Sequence, residues 1–366
     1  MKRMTQRRIA VVLLEVAILL CSSGCGENPV KEKQPVEIWS FTDSCGREVE
    51  LPREVKTVAP SGPLAQIFLY TLCPDELAGL STPLTKKQKE YFPEKYWDLP
   101  VFGQFYGGGG TISYESVIAA APDVIIDMGE EKSGIAADMD AIQRQTGIPT
   151  VFIKAPLEDT ARAYDTLGEI TGEKEQAKAL SDYVRQTLDD AKAFGAQIPE
   201  SERTAVLFAQ GEYGTEVNGN GSLHAQVLDW AAARNVAELR ENSDRGGDEV
   251  SMEQILLWNP EAVVLAPDSC YDDIWEDPLW ANVRAVKTGA VYEVPDAPYN
   301  WLDRPPSVQR ILGIRWLGSL LYPQVFQYDM VEETQTFYKL FYHYDLTQAQ
   351  AKALLAHSTE KMEESA

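Results

Sequence analysis

Two stretches of the chain, 138 residues apart, follow one pattern. In the first, Ser113 and Glu115 open a run that reaches Pro122 and then a β-branched segment, residues 123–127; in the second, Ser251, Glu253, Pro260 and residues 261–265 stand in the same register. Serine can cap a helix, a glutamate two residues on sits in the electropositive first turn, and proline about two turns later ends the helix before a buried strand. A short capped helix feeding a core strand, found twice, predicts two lobes of related architecture. A chain of 366 residues with 44% hydrophobic content is long enough to build two cores.

Between the copies, Leu157, Ala161, Tyr164, Leu167 and Ile170, and then Ala177, Leu180, Val184 and Leu188, recur at helical spacing on either side of Gly172. The pattern predicts one long interdomain helix over residues 155–196, kinked at Gly172. Strand candidates at 56–59, 77–80, 123–127 and 150–153, and then at 204–209, 262–266 and 291–294, alternate with helical segments. This predicts an α/β fold with parallel or mixed sheets covered on both faces. Runs at 37–42 and 48–51 flank Asp43-Ser-Cys-Gly46, a hairpin signal. Residues 305–321 and 330–343 predict aromatic-rich helices packed on the second lobe. The expected domains are an N-terminal lobe over 36–154, the connector over 155–196, a C-terminal lobe over 197–345 and a helical tail over 346–366.

At the N-terminus, Lys2, Arg3, Arg7 and Arg8 precede an apolar stretch from Ile9 to Leu20, too short to span a bilayer but suited to export. The small residues before Cys25 and the polar segment after it resemble a bacterial lipoprotein signal. Residues 1–24 would then be removed, Cys25 lipidated, and residues 25–35 left as a tether; Cys21 is the alternative acceptor, and unlipidated cleavage would give a secreted or periplasmic protein. Of the remaining cysteines, Cys45, Cys73 and Cys270, one pair could form a disulfide in an exported setting, or all three could be buried thiols. A net charge of −23 argues against nucleic acid or anionic lipid as the main partner, and three His without any C-x-x-C spacing leave no zinc site.

The segments Phe41 to Pro52, Val58-Ala-Pro-Ser-Gly62 and Asp75-Glu-Leu-Ala-Gly79, together with the repeat, Gly147-Ile-Pro149, Trp280 to Tyr292 and Trp301-Leu-Asp-Arg304-Pro-Pro-Ser307, resemble the class III substrate-binding lipoproteins of ABC importers for iron-siderophore, haem and cobalamin. The resemblance covers residues 36 to about 325. It implies two lobes joined by a rigid helix, an interlobe cleft with modest closure, and a non-enzymatic, monomeric receptor without a cofactor. Its implied partners are a permease dimer with its ATPase and a small metal chelate. By motif position, Glu115 and Glu253 would pair with permease arginines; helix-dipole stabilisation is the plainer role for each.

The cleft candidates come from loops that follow strands. Ser61 and Glu130 follow two first-lobe strands, and Tyr106 and Gly108 belong to the glycine run at 107–110, where a ligand could approach the backbone and Tyr106 could stack or ligate ferric iron. Tyr213 and Asn220 lie in a glycine-rich second-lobe loop, His224 could ligate a haem or cobalamin metal, and Trp301 with Arg304 could stack on and neutralise an anionic conjugated ligand. Ferric siderophore or haem is the first expectation; cobalamin and a molybdate-type oxyanion are alternatives. An exported hydrolase lacks a Gly-x-Ser-x-Gly elbow and a His-Glu-x-x-His motif here, and a ligand sensor on the same scaffold is the third class.

Overall fold

The computed structural model describes residues 37–105, 112–239, 247–267 and 269–358. Cys21, Cys25, Tyr106 and Gly108 lie outside the described residues, and so does the tether at 25–35.

The first lobe begins with an antiparallel hairpin, β1 (Ile38–Thr42) and β2 (Glu48–Pro52). Asp43 closes its turn by accepting from the backbone N–H of Cys45 and Arg47 while its second oxygen pairs with the Arg47 guanidinium at 2.8 Å. The lobe's sheet is parallel, in the order β3 (Val58–Pro60), β4 (Val124–Gly129), β5 (Thr150–Lys154). Helix α1 (Pro63–Leu72) follows β3, α2 (Lys86–Lys89) lies in the long connection after it, α3 (Tyr114–Ala120) leads into β4, and α4 (Ile135–Thr146) joins β4 to β5. The strand expected at 77–80 is reduced to isolated bridges, Val58 with Leu77 and Leu80 with Val101. Gly79 between them packs against the Phe102 ring with no room for a Cβ, so a pleated side-chain pattern cannot continue there.

The connector is broken at Gly172 rather than kinked. Helix α5 (Thr160–Thr171) ends on Gly172, whose φ of 88° is left-handed, and α6 (Lys174–Gly195) starts two residues later. The two lie side by side: Arg185 pairs with Asp165, and a Cβ on Gly168 would strike Ala177. The chain therefore reverses, and α6 alone is the long spanning helix. At 22 residues it is about 33 Å long. Gln176 at its start bonds to Thr71 O of the first lobe; Phe194 at its end packs on Phe326 of the C-terminal region.

The second lobe carries a mixed sheet, β11-β10-β6-β7-β9, with β8 also on β6. Strands β6 (Ala205–Gln210), β10 (Ala262–Leu265) and β11 (Val291–Glu293) run parallel; β7 (Glu216–Val217) and β9 (Asp248–Glu249) are antiparallel additions, and β8 (Arg234–Asn235) is parallel to β6. Helix α7 (Gln226–Trp230) precedes β8, α8 (Met252–Trp258) leads into β10, and α9 (Arg284–Thr288) into β11. Then follow α10 (Arg310–Leu321), α11 (Met330–Tyr342) and α12 (Gln348–Leu354).

The tail departs from the expectation that it packs on the second lobe alone. Tyr70 Oη donates to Tyr342 O at 3.2 Å, His343 Nε2 lies 3.1 Å from Thr71 O, and Tyr164 meets Phe341 edge-on, so α11 is sewn onto the first lobe. Tyr91 of the first lobe also packs against Tyr338 and Tyr344. Tyr70, Tyr164, Tyr338, Phe341 and Tyr342 join one core that runs through both lobes, and Tyr91 and Tyr344 pack against it. Cys45, Cys73 and Cys270 are all free thiols, and no helix among the described residues is long and apolar enough to cross a membrane.

The repeat is structural down to its caps. Ser113 Oγ accepts from Ser116 N and Ser251 Oγ from Gln254 N; the helices end on Ala121 and Asn259, both left-handed, with φ of 47° and 44°. The next acids then tie each unit to its sheet. Asp123 accepts the N–H of Lys56 and Thr57, at the edge of β3, and Glu261 accepts the N–H of Ala205, at the start of β6.

Candidate functional site

In parallel sheets the ends of the strands that face a ligand are the carboxyl ends, because the connections there leave a crevice between loops. A cavity of about 780 Å³ lies at that edge of the first lobe, walled by the segments after β3, β4 and β5 and, across from them, by residues 221–224, Pro306 and Arg310. The turn after β4 depends on Gly129, whose φ of 149° is outside the range that side chains adopt readily; it delivers Glu130 and Lys132 to the cleft wall.

Three polar features shape this cleft. The first is the start of α1. Gly62 gives it no side-chain cap, and residues 62–65 line the cavity; Pro63 has no N–H, so the amides of Leu64 and Ala65 are the uncapped donors at this wall, an arrangement that favours negative charge.

The second is Arg310. Its side chain is 2% exposed and its Nη1 and Nε bond to Gln226 Oε1 at 2.9 Å and Ser307 O at 3.3 Å, with Leu223 O at 3.5 Å. Among the described residues no carboxylate lies within ion-pair distance of it. Burial pushes its pKa down to about 10, against the partial support of Asp303, Glu130 and Glu158, so it is still a cation at neutral pH.

The third is a pair of buried acids, one on each side. Ser61 Oγ donates to Asp127 Oδ1. Burial pushes the Asp127 carboxyl up to about 7; the Ser61 bond, the Met128 amide and Lys132 pull against that shift, and Asp138 adds to it. Behind the other wall, Asp303, fully buried and not itself lining the cavity, lies 2.5 Å from Nδ1 of the lining His224 and accepts from Gln210 Nε2 at 3.3 Å. A carboxylate on Nδ1 fixes the ring and its tautomer, as in sites where the other nitrogen meets a ligand.

Of the sequence candidates, Ser61, Glu130 and His224 are therefore brought together. Tyr106 and Gly108 lie outside the described residues, and the remaining candidates are placed elsewhere. Trp301 is fully buried, edge-on to Trp316 at 6.5 Å between centroids, and presents no face to a ligand. Asn220 bonds to Asn235 O at 3.3 Å, away from the cavity wall, and Tyr213 is 69% exposed, with its carbonyl accepting from the Trp280 indole. Arg304, 3.4 Å from Asp303, lines a separate cavity of about 510 Å³ that also holds Lys87 and Asp296. Arg310, Asp127 and Asp303 were not singled out. Arg310 had one signal, a cation opening the apolar run 310–321; the two acids had none. Among the described residues no group of three or more His, Cys, Asp or Glu could hold a metal ion.

Glu115 and Glu253 are both exposed, on the first turns of α3 and α8. The bond that Glu253 accepts from its own amide, aided by Ser251, lowers its pKa.

Comparison with known proteins agrees with this architecture. A solved ABC transporter solute binding protein from Sulfurospirillum deleyianum superposes with a TM-score of 0.79 and 31% identity, over 87% of this chain and 99% of that one. The molybdate-binding protein MolA of Haemophilus influenzae is 28% identical over 64% of this chain and 71% of its own length. An uncharacterised ABC transporter substrate-binding lipoprotein of Bacillus subtilis, YvrC, is 22% identical over 87% of this chain and 97% of its own. The family model described as periplasmic binding protein matches residues 76–298. With two α/β lobes, one spanning helix and a cleft at the carboxyl ends of its strands, the chain belongs to the periplasmic binding protein family, among the class III substrate-binding proteins of ABC transporters.

Proposed function

We propose that the protein is the extracytoplasmic, lipid-anchored receptor of an ABC importer and that its cleft takes an oxygen-rich anion carrying a metal. One observation carries the ligand class: Arg310 is buried in the cleft wall and, among the described residues, has no carboxylate in ion-pair range. A buried charge is costly unless paired, and an anion bound across from the α1 amides supplies the missing charge partner. Lys132 and His224 add further donors on the same cavity.

Two ligands of this class fit. A ferric chelate is favoured by size, because 780 Å³ lies within the roughly 300–1,000 Å³ of small-molecule sites, and by apolar wall residues such as Leu64, Met128 and Leu223. A molybdate-type oxyanion is favoured by the relative that binds molybdate and by the convergence of Arg310 with a helix start. The test is tryptophan-fluorescence and calorimetric titration of the protein with molybdate, tungstate, ferric citrate, ferric siderophores, haem and cobalamin. Micromolar or tighter binding of one anionic metal species is expected; binding of cobalamin alone, or of none, refutes the ligand class.

A further inference from the structure

The two repeated helices match in more than their caps. From 114 to 122 and from 252 to 260, position by position, the order of buried, half-buried and exposed side chains is the same. Val117 and Ile255 are the buried pins, and Glu115 with Ile118 and Glu253 with Leu256 are exposed at equivalent places. Residues three and four apart share a helix face, so on α3 the exposed face reads Glu115, Ile118, Ala119, and on α8 it reads Glu253, Leu256, Leu257. Ile118, Leu256 and Leu257 are 47%, 38% and 78% exposed, three of the seven large apolar side chains that are exposed among the described residues. Scattered exposed leucines need no explanation. The same apolar position beside the same acid, on both lobes, does.

We propose that Ile118 on the first lobe and Leu256 with Leu257 on the second are apolar anchors that, with Glu115 and Glu253, seat the protein on the two halves of the permease dimer. The proposal rests on the importer reading above. Each helix leads into a parallel strand, and its start is tied to segments at the carboxyl ends of the strands: Ser113 N bonds to Phe102 O and Phe105 N to Ser61 O just after β3, while Val250 N bonds to Thr215 O beside β7, which pairs with the end of β6. The two patches therefore flank the cleft mouth, one per lobe, and a two-fold partner meets both with equivalent surfaces. The helices are firm platforms: serine caps, left-handed ends, and the Asp123 and Glu261 bonds to the neighbouring strand hold each one to its sheet. Acids alone give long-range steering that salt screens; desolvated apolar contacts at the centre of a patch supply affinity that salt does not remove.

The test uses the full mature protein and the importer's permease–ATPase complex in nanodiscs, with affinity measured at about 50 and about 300 mM salt. The triple variant I118S/L256S/L257S is expected to bind about tenfold or more weakly with the salt dependence kept. E115Q/E253Q is expected to weaken binding and flatten that dependence, and I118L/L256I to bind like the parent. Unaltered melting temperatures, expected for exposed positions, show that the variants are folded. An apolar variant that binds like the parent overturns the proposal while leaving the importer reading intact; a parent that does not bind the complex at all overturns both.

Discussion

Replacing Arg310 by methionine removes the cation while keeping an unbranched chain. In the empty protein two effects oppose. Burial pushes the Arg310 pKa down from its ordinary value to about 10, equivalent to about 3 kcal/mol of unfavourable charge burial that R310M relieves. The variant also loses charge-assisted bonds to Gln226 Oε1 and Ser307 O, worth about 1.5 kcal/mol each. These nearly cancel, so the empty variant is expected to melt within about 3 °C of the parent. Binding has no such cancellation. Losing one or two charge-assisted bonds to the anion removes about 1.5 to 4 kcal/mol, or between about tenfold and a thousandfold in affinity. Differential scanning calorimetry and isothermal titration with molybdate and ferric citrate read the two quantities separately. Affinity unchanged beside a melting temperature many degrees lower would refute the reasoning and make Arg310 a structural tie.

The other expectations are independent of that residue. Asp127, pushed up to about 7, gains negative charge in the cleft as pH rises from 6 to 8, so anion affinity is expected to fall over that interval and D127N to flatten the slope; an unchanged slope in D127N refutes the assignment. The folded pKa lies above the ordinary 3.8, so the folded protein holds the extra proton between about pH 4 and 7, and this group's contribution to stability declines as pH rises through that window; urea titrations of parent and D127N across it measure the difference. Asp303→Asn is expected to release His224 from a fixed tautomer and weaken ligand binding by about threefold to tenfold; unshifted His224 ring ¹⁵N resonances in the variant would show that another contact holds the ring. Ala121→Gly, at a left-handed helix end with φ of 47°, is expected to stabilise by about 0.5–1 kcal/mol in urea titrations, and a loss of stability would count against the left-handed cap.

The lobes, the hairpin and the parallel strands were legible because each is written locally: a serine cap, a helical stripe, a β-branched run. The repeat was legible from Ser113 through Asp123 and from Ser251 through Glu261; what the structure adds is that the Asp123 and Glu261 carboxylates serve backbone amides far along the sequence. Gly172 was read as a bend because the apolar stripe continues on both sides of it. The packing of Gly168 on Ala177 and the Arg185–Asp165 pair reveal a reversal, which the stripe alone does not show. The cleft was the least legible. Ser61, Glu130 and His224 follow strands or open helices, positions with a rule behind them. Trp301 looked like a stacking platform because exposure cannot be seen in a residue name, and Asp303 matters through His224, 79 residues away. The tail was assigned to one lobe because nothing local in α11 tells Tyr342 that its carbonyl will meet Tyr70.

With α6 spanning the lobes and α11 stitched across them through Tyr70, Tyr164, Phe341 and His343, ligand binding is expected to move the lobes little. Under the importer function proposed above, vacant copies are then expected to compete with loaded ones for the permease, so that overproducing the receptor when ligand is scarce slows import; uptake that rises with receptor level under those conditions would refute it.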